Sequence, residues 1–159
     1  RTDGTLRLDH GPFVSGVMPV NEQFESNVMA FQAIDANTVF VLRTDGTLRL
    51  DHGPFVSGVM PVNEQFESNV MAFQAIDANT VFVLRTDGTL RLDHGPFVSG
   101  VMPVNEQFES NVMAFQAIDA NTVFVLHTDG TLRLDHGPFV SGVMPVNELF
   151  ESKVASFQS

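Results

Sequence analysis

Cysteine, tryptophan and tyrosine are absent from these 159 residues. Without cysteine there is no disulfide frame, no thiolate metal site and no thiol nucleophile, and nothing to indicate a redox compartment. Without tryptophan and tyrosine, all 15 aromatic residues are phenylalanine, so the two rings best suited to stacking on sugars are missing. Basic residues are scarce, 8 against 19 acids, for a net charge of −11. Nucleic-acid affinity depends on Lys and Arg displacing condensed counterions, so a nucleic-acid partner is not expected. No uninterrupted apolar run is long enough to cross a bilayer, and no basic, apolar, small-residue leader opens the chain, so no membrane role is expected either. The motifs G-x-S-x-G, H-E-x-x-H and the Walker loop are all missing. The expectation is a protein that is not an enzyme and carries no cofactor.

What is present is repetition. Arg1–Leu42 returns unchanged as Arg43–Leu84 and again as Arg85–Leu126, and a shortened fourth unit runs from His127 to Ser159. Such a period marks a supersecondary module that buries its faces only against its neighbours, so residues 1–159 form a single array rather than four domains. Identical units point to recent gene amplification or to engineered symmetry. The fourth unit departs at His127, Leu149, Lys153, Ala155, Ser156 and Ser159. Those departures favour a natural or natural-derived array with an atypical terminal unit. The chain opens in mid-pattern, so its natural start lies upstream or the boundary was chosen.

Each unit reads as four short strands. Val28–Ile34 (a) is too short and too simply placed in a meander to be preferred as a helix. Thr38–Leu42 (b) is β-branched and aromatic, and apolar on both faces, which predicts a strand covered on both sides. Arg43-Thr44-Asp45-Gly46 carries an Asp-Gly pair, which predicts a two-residue type I′ hairpin turn. Thr47–Asp51 (c) alternates, with Leu48 and Leu50 on one face and Arg49 on the other. His52-Gly53-Pro54 stops that strand. Val59–Val62 (d) contains Pro61 and is expected at the sheet edge, with Asn63–Ser68 as a polar connector to the next unit. The five acids of each unit, Asp3, Asp9, Glu22, Glu25 and Asp35 in the first, are expected on the surface, where they keep a repetitive chain soluble.

Four short antiparallel strands per 42-residue unit predict an all-β fold, a β-propeller built of such blades, with a β-trefoil as the alternative. The stretch VFVLRTDGTLRLDHGPF, Val39 to Phe55, resembles blades of the tectonin and tachylectin-like propeller lectins. Blades of that family usually carry Trp near the hairpin, whereas Arg7, Arg49, Arg91 and Arg133 stand in its place here. The array holds four copies of a, c and d but three of b, so terminal strand Val154–Gln158 would meet strand Thr5–Asp9 with nothing between them. Exposed blade faces and an unpaired edge then predict a homo-oligomer that closes a larger ring.

Functional expectations follow from the loop ends. In an up-and-down blade the a–b and c–d loops emerge together, which gathers Asp35, Asn37, His52 and Phe55, and likewise Asp77, Asn79, His94 and Phe97. Carboxylate, amide and imidazole groups around an aromatic ring can hydrogen-bond sugar hydroxyls, and repetition would add avidity. The resemblance to propeller lectins implies the same ligand class, glycans. Asp9 and His10 are neighbours on a strand and point to opposite faces, so they make no acid–base pair. His10, His52, His94 and His136, or Asp35, Asp77 and Asp119, could surround a metal on an axis, but no metal site is expected. The two readings are a structural scaffold without a ligand and a multivalent carbohydrate-binding module.

Overall fold

A computed structural model of the 159-residue chain describes residues 4–10, 15, 20–55, 62–97, 104–139 and 146–151. Among these, every regular element is a β-strand, fourteen in all. β1 (Leu6–His10) and β2 (Val20–Glu25) form a two-stranded sheet. Three antiparallel four-stranded meanders follow. The first comprises β3 (Val28–Asp35), β4 (Thr38–Arg43), β5 (Leu48–His52) and β6 (Val62–Glu67). The second comprises β7 (Val70–Asp77), β8 (Thr80–Arg85), β9 (Leu90–His94) and β10 (Val104–Glu109). The third comprises β11 (Val112–Asp119), β12 (Thr122–His127), β13 (Leu132–His136) and β14 (Val146–Glu151). The sequence-derived strands a, b and c are thus found to within a residue or two, and the preference for strand over helix in a is correct.

The core lies between sheets, because strand b has two apolar faces. On β8, Val81 and Val83 join the cluster of Phe40, Leu42, Leu48 and Leu50 from the first meander. Phe82 and Leu84, on the opposite face of the same strand, join Val123 and Val125 of the third. A period of two therefore serves two interfaces at once. Phe40 and Phe82 are fully buried and anchor equivalent aromatic clusters. Phe40 meets Phe66 and Phe97 edge-on at 6.0 Å, and those two rings stack at 4.1 Å.

Two sequence-derived expectations are corrected. The hairpin between b and c is not a two-residue type I′ turn. Leu42 pairs with Leu48 and the Arg43 N–H donates to the Thr47 carbonyl, leaving a three-residue loop, Thr44–Gly46. Within that loop positive φ occurs only at Gly46 (86°), and Asp45 instead accepts hydrogen bonds from the Thr47 amide and hydroxyl. This is the turn with a left-handed glycine that three-residue hairpins favour. Positive φ at a non-glycine residue falls instead on Asn27, Asn69 and Asn111, in the links from d to a.

The second correction concerns strand d, which runs from Val62 to Glu67, through the stretch expected to be a polar connector. Val59–Pro61 lies outside the described residues, as does Val154–Gln158. A β-bulge opposite Leu48 and Arg49 explains why a polar-looking run is a strand. The bulge places two residues against one, and both Phe66 and Glu67 are buried as a result.

Phe82 is fully buried between two sheets, whereas Phe31, on the first strand of the first meander, is 56% exposed. Phe82→Ala is expected to cost about 3–5 kcal/mol and Phe31→Ala less than about 0.5 kcal/mol. Chemical denaturation followed by circular dichroism measures the difference. Equal effects would show that the core is not shared between sheets.

Candidate functional site

The polar chemistry of the described residues is concentrated at the junctions between meanders. β6 and β10 are the outer strands of the first and second meanders, and their bulges turn Glu67 and Glu109 inward, to 3% and 4% exposure. From the next sheet, β9 and β13 present Asp93 and Asp135, both at 0%. Each junction therefore holds a pair of carboxyls away from water. Two of the five acids in the second unit, Asp51 and Glu67, and two in the third, Asp93 and Glu109, are thus core residues, which corrects the expectation of a purely solubilising role.

Two buried carboxylates side by side cannot both ionise cheaply. With both charged, no described donor reaches the oxygens of Asp93, so a proton held between the two carboxyls supplies the missing hydrogen bond. Burial pushes the Asp93 carboxyl up to about 9, reinforced by the hydrogen bond from Glu67 and the Glu67 charge, while Arg91 and Arg85 pull it back. Asp135 is pushed up to about 8 by burial, the hydrogen bond with Glu109 and the Glu109 charge, against Arg133. The cations at the two junctions differ. Arg85 Nε lies 4.0 Å from Glu67 Oε1, and His127 Nε2 lies 3.3 Å from Glu109 Oε1. The exchange of Arg for His in the fourth unit thus falls directly on a buried charge cluster.

A second polar device joins the first strands of successive meanders. The Gln32 amide donates from Nε2 to the Ala75 carbonyl and accepts at Oε1 from the Ala75 N–H, both at 2.7 Å. Gln74 holds Ala117 in the same way, both bonds at 2.8 Å. One side chain here does what a strand partner does for a backbone. A shallow cavity of about 270 Å³ lies beside these clasps, between Phe73 and Gln74 of β7 and Phe115 and Gln116 of β11.

The residues singled out from the sequence lie at the a–b turns, at the ends of strand c and in the loop that follows it. Asp35 and Asn37 are exposed, and the Asp35 carboxylate accepts from the Asn37 N–H at 2.8 Å. The same arrangement recurs at Asp77 and Asn79. His52 and His94 are half-buried at the ends of β5 and β9. The a–b turn and the c–d loop do meet, since the Gly53 N–H donates to the Asn37 carbonyl at 2.7 Å. They meet so closely that a Cβ at Gly53 would sit 2.8 Å from Asn37 Oδ1. Phe55 and Phe97 are buried in the inter-sheet clusters, at 5% and 4%, and offer no ring face to solvent. Among the described residues no group of three or more His, Asp or Glu is placed to hold a metal ion. The side chains of Asp9 and His10 lie outside what is described.

Sequence reasoning missed the carboxyl pairs. The available signal was Asp51 directly after the alternating Leu48-Arg49-Leu50, combined with a Phe-Glu step that only a bulge can bury.

The folded chain holds protons at Asp93 and Asp135 that the unfolded chain, with carboxyls near 3.8, releases. That contribution is full below the unfolded value and is lost as pH rises towards about 8–9, so stability falls with rising pH across this window. The melting temperature is expected to drop between about pH 5 and pH 9, and the pair Asp93→Asn with Asp135→Asn to flatten the drop. An unchanged slope in that variant would remove the carboxyl pairs as its origin.

No protein-family model matches the chain, and no curated protein matches it. Among solved structures it is similar to the crystal structure of human WBSCR16, with a TM-score of 0.51 and 13% identity. The match covers 84% of this chain and 42% of that one, so the chain spans less than half the length of the protein it matches. At that identity the likeness is one of fold alone.

Proposed function

We propose that the chain is a non-catalytic scaffold: a run of β-propeller blades that closes into a ring when several copies associate. The observation that carries this reading is the mismatch between the inside and the ends of the stack. At the internal junctions the a strand is covered, and Ala75 and Ala117 are each 5% exposed. At the leading face the same repeat positions are open, with Phe31 at 56% and Ala33 exposed, and at the trailing sheet Ile118 is 58% exposed. Apolar faces that are complementary within the array are complementary between copies, and a head-to-tail contact of this kind generates rings when the rotation closes. The absence of catalysis is supported by the location of the paired carboxyls, which are sealed where no substrate reaches them.

A glycan-binding reading retains one supporting observation, the exposed Asp35 and Asn37 turn held against the c–d loop and repeated in each meander. The buried Phe55 and Phe97 count against it, because sugar recognition would lose its stacking surface.

Native mass spectrometry at micromolar concentration is expected to give multiples of the 17.4 kDa chain, with one closed species dominant. A lone monomer would defeat the ring. A glycan array is expected to stay blank, and reproducible, competable binding of one sugar class would replace the scaffold reading with the lectin one.

A further inference from the structure

The junctions between the meanders are fastened differently along their two sides. On one side the first strands of successive meanders, β3, β7 and β11, lie against one another. The glutamine clasps join them there, Gln32 to Ala75 and Gln74 to Ala117. A clasp consists of an amide and a backbone, neither of which titrates. On the other side the outer strand of one meander meets the third strand of the next, through Glu67 of β6 with Asp93 of β9 and Glu109 of β10 with Asp135 of β13. Within its sheet β9 lies two strands away from β7, so clasp and carboxyl pair occupy separate sides of the junction.

The carboxyl side also carries stacked rings. Phe66 of β6 stacks on Phe97 of the next meander at 4.1 Å, and Phe108 of β10 stacks on Phe139 at the same distance. All four rings are buried, and the residue after Phe66 and after Phe108 is the paired glutamate. The charged groups around the first pair are Arg91 of β9 and Arg85 of β8. Around the second they are Arg133 of β13 and His127 of β12. Among the described residues no donor reaches the oxygens of Asp93 or Asp135. Facing carboxyls so placed are stable with a proton between them, and its loss sets two charges against each other where water is excluded.

We propose that each of these two junctions is a proton-operated hinge: loss of the proton shared by its carboxyl pair swings the outer strands apart about the glutamine clasps, parting the stacked phenylalanines while each sheet stays intact. Opening lets water reach the carboxyls, which return to their ordinary range near 3.8, whereas the closed junction keeps a proton on Asp135 up to about 8 and on Asp93 up to about 9. The closed form is therefore fully favoured below the ordinary value and loses its advantage as pH rises towards the raised one. Each opening releases one proton, so between those limits the open fraction grows about tenfold per pH unit.

The chain has no cysteine, so a single introduced thiol reports exposure at a chosen place. Leu92→Cys lies on β9 and Ala117→Cys on the clasped β11, and both positions belong to the same buried cluster. Alkylation by iodoacetamide is followed by mass spectrometry from about pH 6 to about pH 8, inside the window in which opening releases a proton. An unfolded reference peptide corrects for ionisation of the thiol. Relative to that reference, labelling of Leu92→Cys is expected to quicken about tenfold per pH unit and that of Ala117→Cys less than about twofold, with the far-ultraviolet circular dichroism unchanged. Equal gains at the two positions would mean that the whole chain unfolds, and no gain at Leu92→Cys would mean that the junction stays shut; either result overturns the hinge. Asp135→Asn in the Leu92→Cys background is expected to abolish the gain, with Glu109→Gln taking its place if circular dichroism finds the asparagine form unfolded. A gain that persists in the folded variant overturns the proposal as well.

Discussion

The architecture depends on a six-residue strand that has no solvent face. In Thr80–Arg85, two valines point one way while a phenylalanine and a leucine point the other, and each pair completes a different cluster. A strand of this kind cannot be stable in a lone sheet, because either face left in water forgoes about 25 cal/mol for each Å² of apolar surface. The second meander is thus folded by the meanders on both sides of it, and the unit of stability is the junction rather than the sheet. Repeat proteins owe their near-additive energetics to this nearest-neighbour arrangement.

Polar groups then give the apolar junction its alignment. The glutamine clasps fix the a strands against one another at one side of the stack. The carboxyl pairs contributed by strands c and d fix the other. A buried ionisable pair is weak evidence for net stability, since removing charge from water is costly. Its value lies in alignment, because a sheet displaced by one residue would separate Glu67 from Asp93 and leave two buried carboxyls without partners. For a chain of identical units, in which every sheet could pair with every other, such directional contacts discriminate between registers that apolar packing treats alike.

Much of the fold was legible in the sequence because it depends on period alone. The unit length, strands a, b and c, and the two-sided burial of b all follow from alternation and from Gly and Asn at the turns. The hairpin geometry was misread because Asp-Gly suits two different loops, and the choice between them depends on Thr47, which bonds Asp45 and leaves only Gly46 with positive φ. Strand d was misplaced because its two apolar residues, Val62 and Phe66, are separated by a polar run, and the bulge that buries Phe66 together with Glu67 leaves no alternating pattern to find. The carboxyl pairs were illegible for a deeper reason. Glu67 and Asp93 come from different units, and their pairing is a property of how sheets stack.

The amide of Gln32 reaches the Ala75 backbone through one donated and one accepted bond, so its two atoms are not interchangeable. Hydrolysis of that amide, the ordinary ageing reaction of glutamine, would set a carboxylate oxygen against the Ala75 carbonyl where an N–H had been. A chain built of copies carries the same vulnerable group at the same place in each, and chemical ageing would therefore loosen the spacing of its first strands along the whole array.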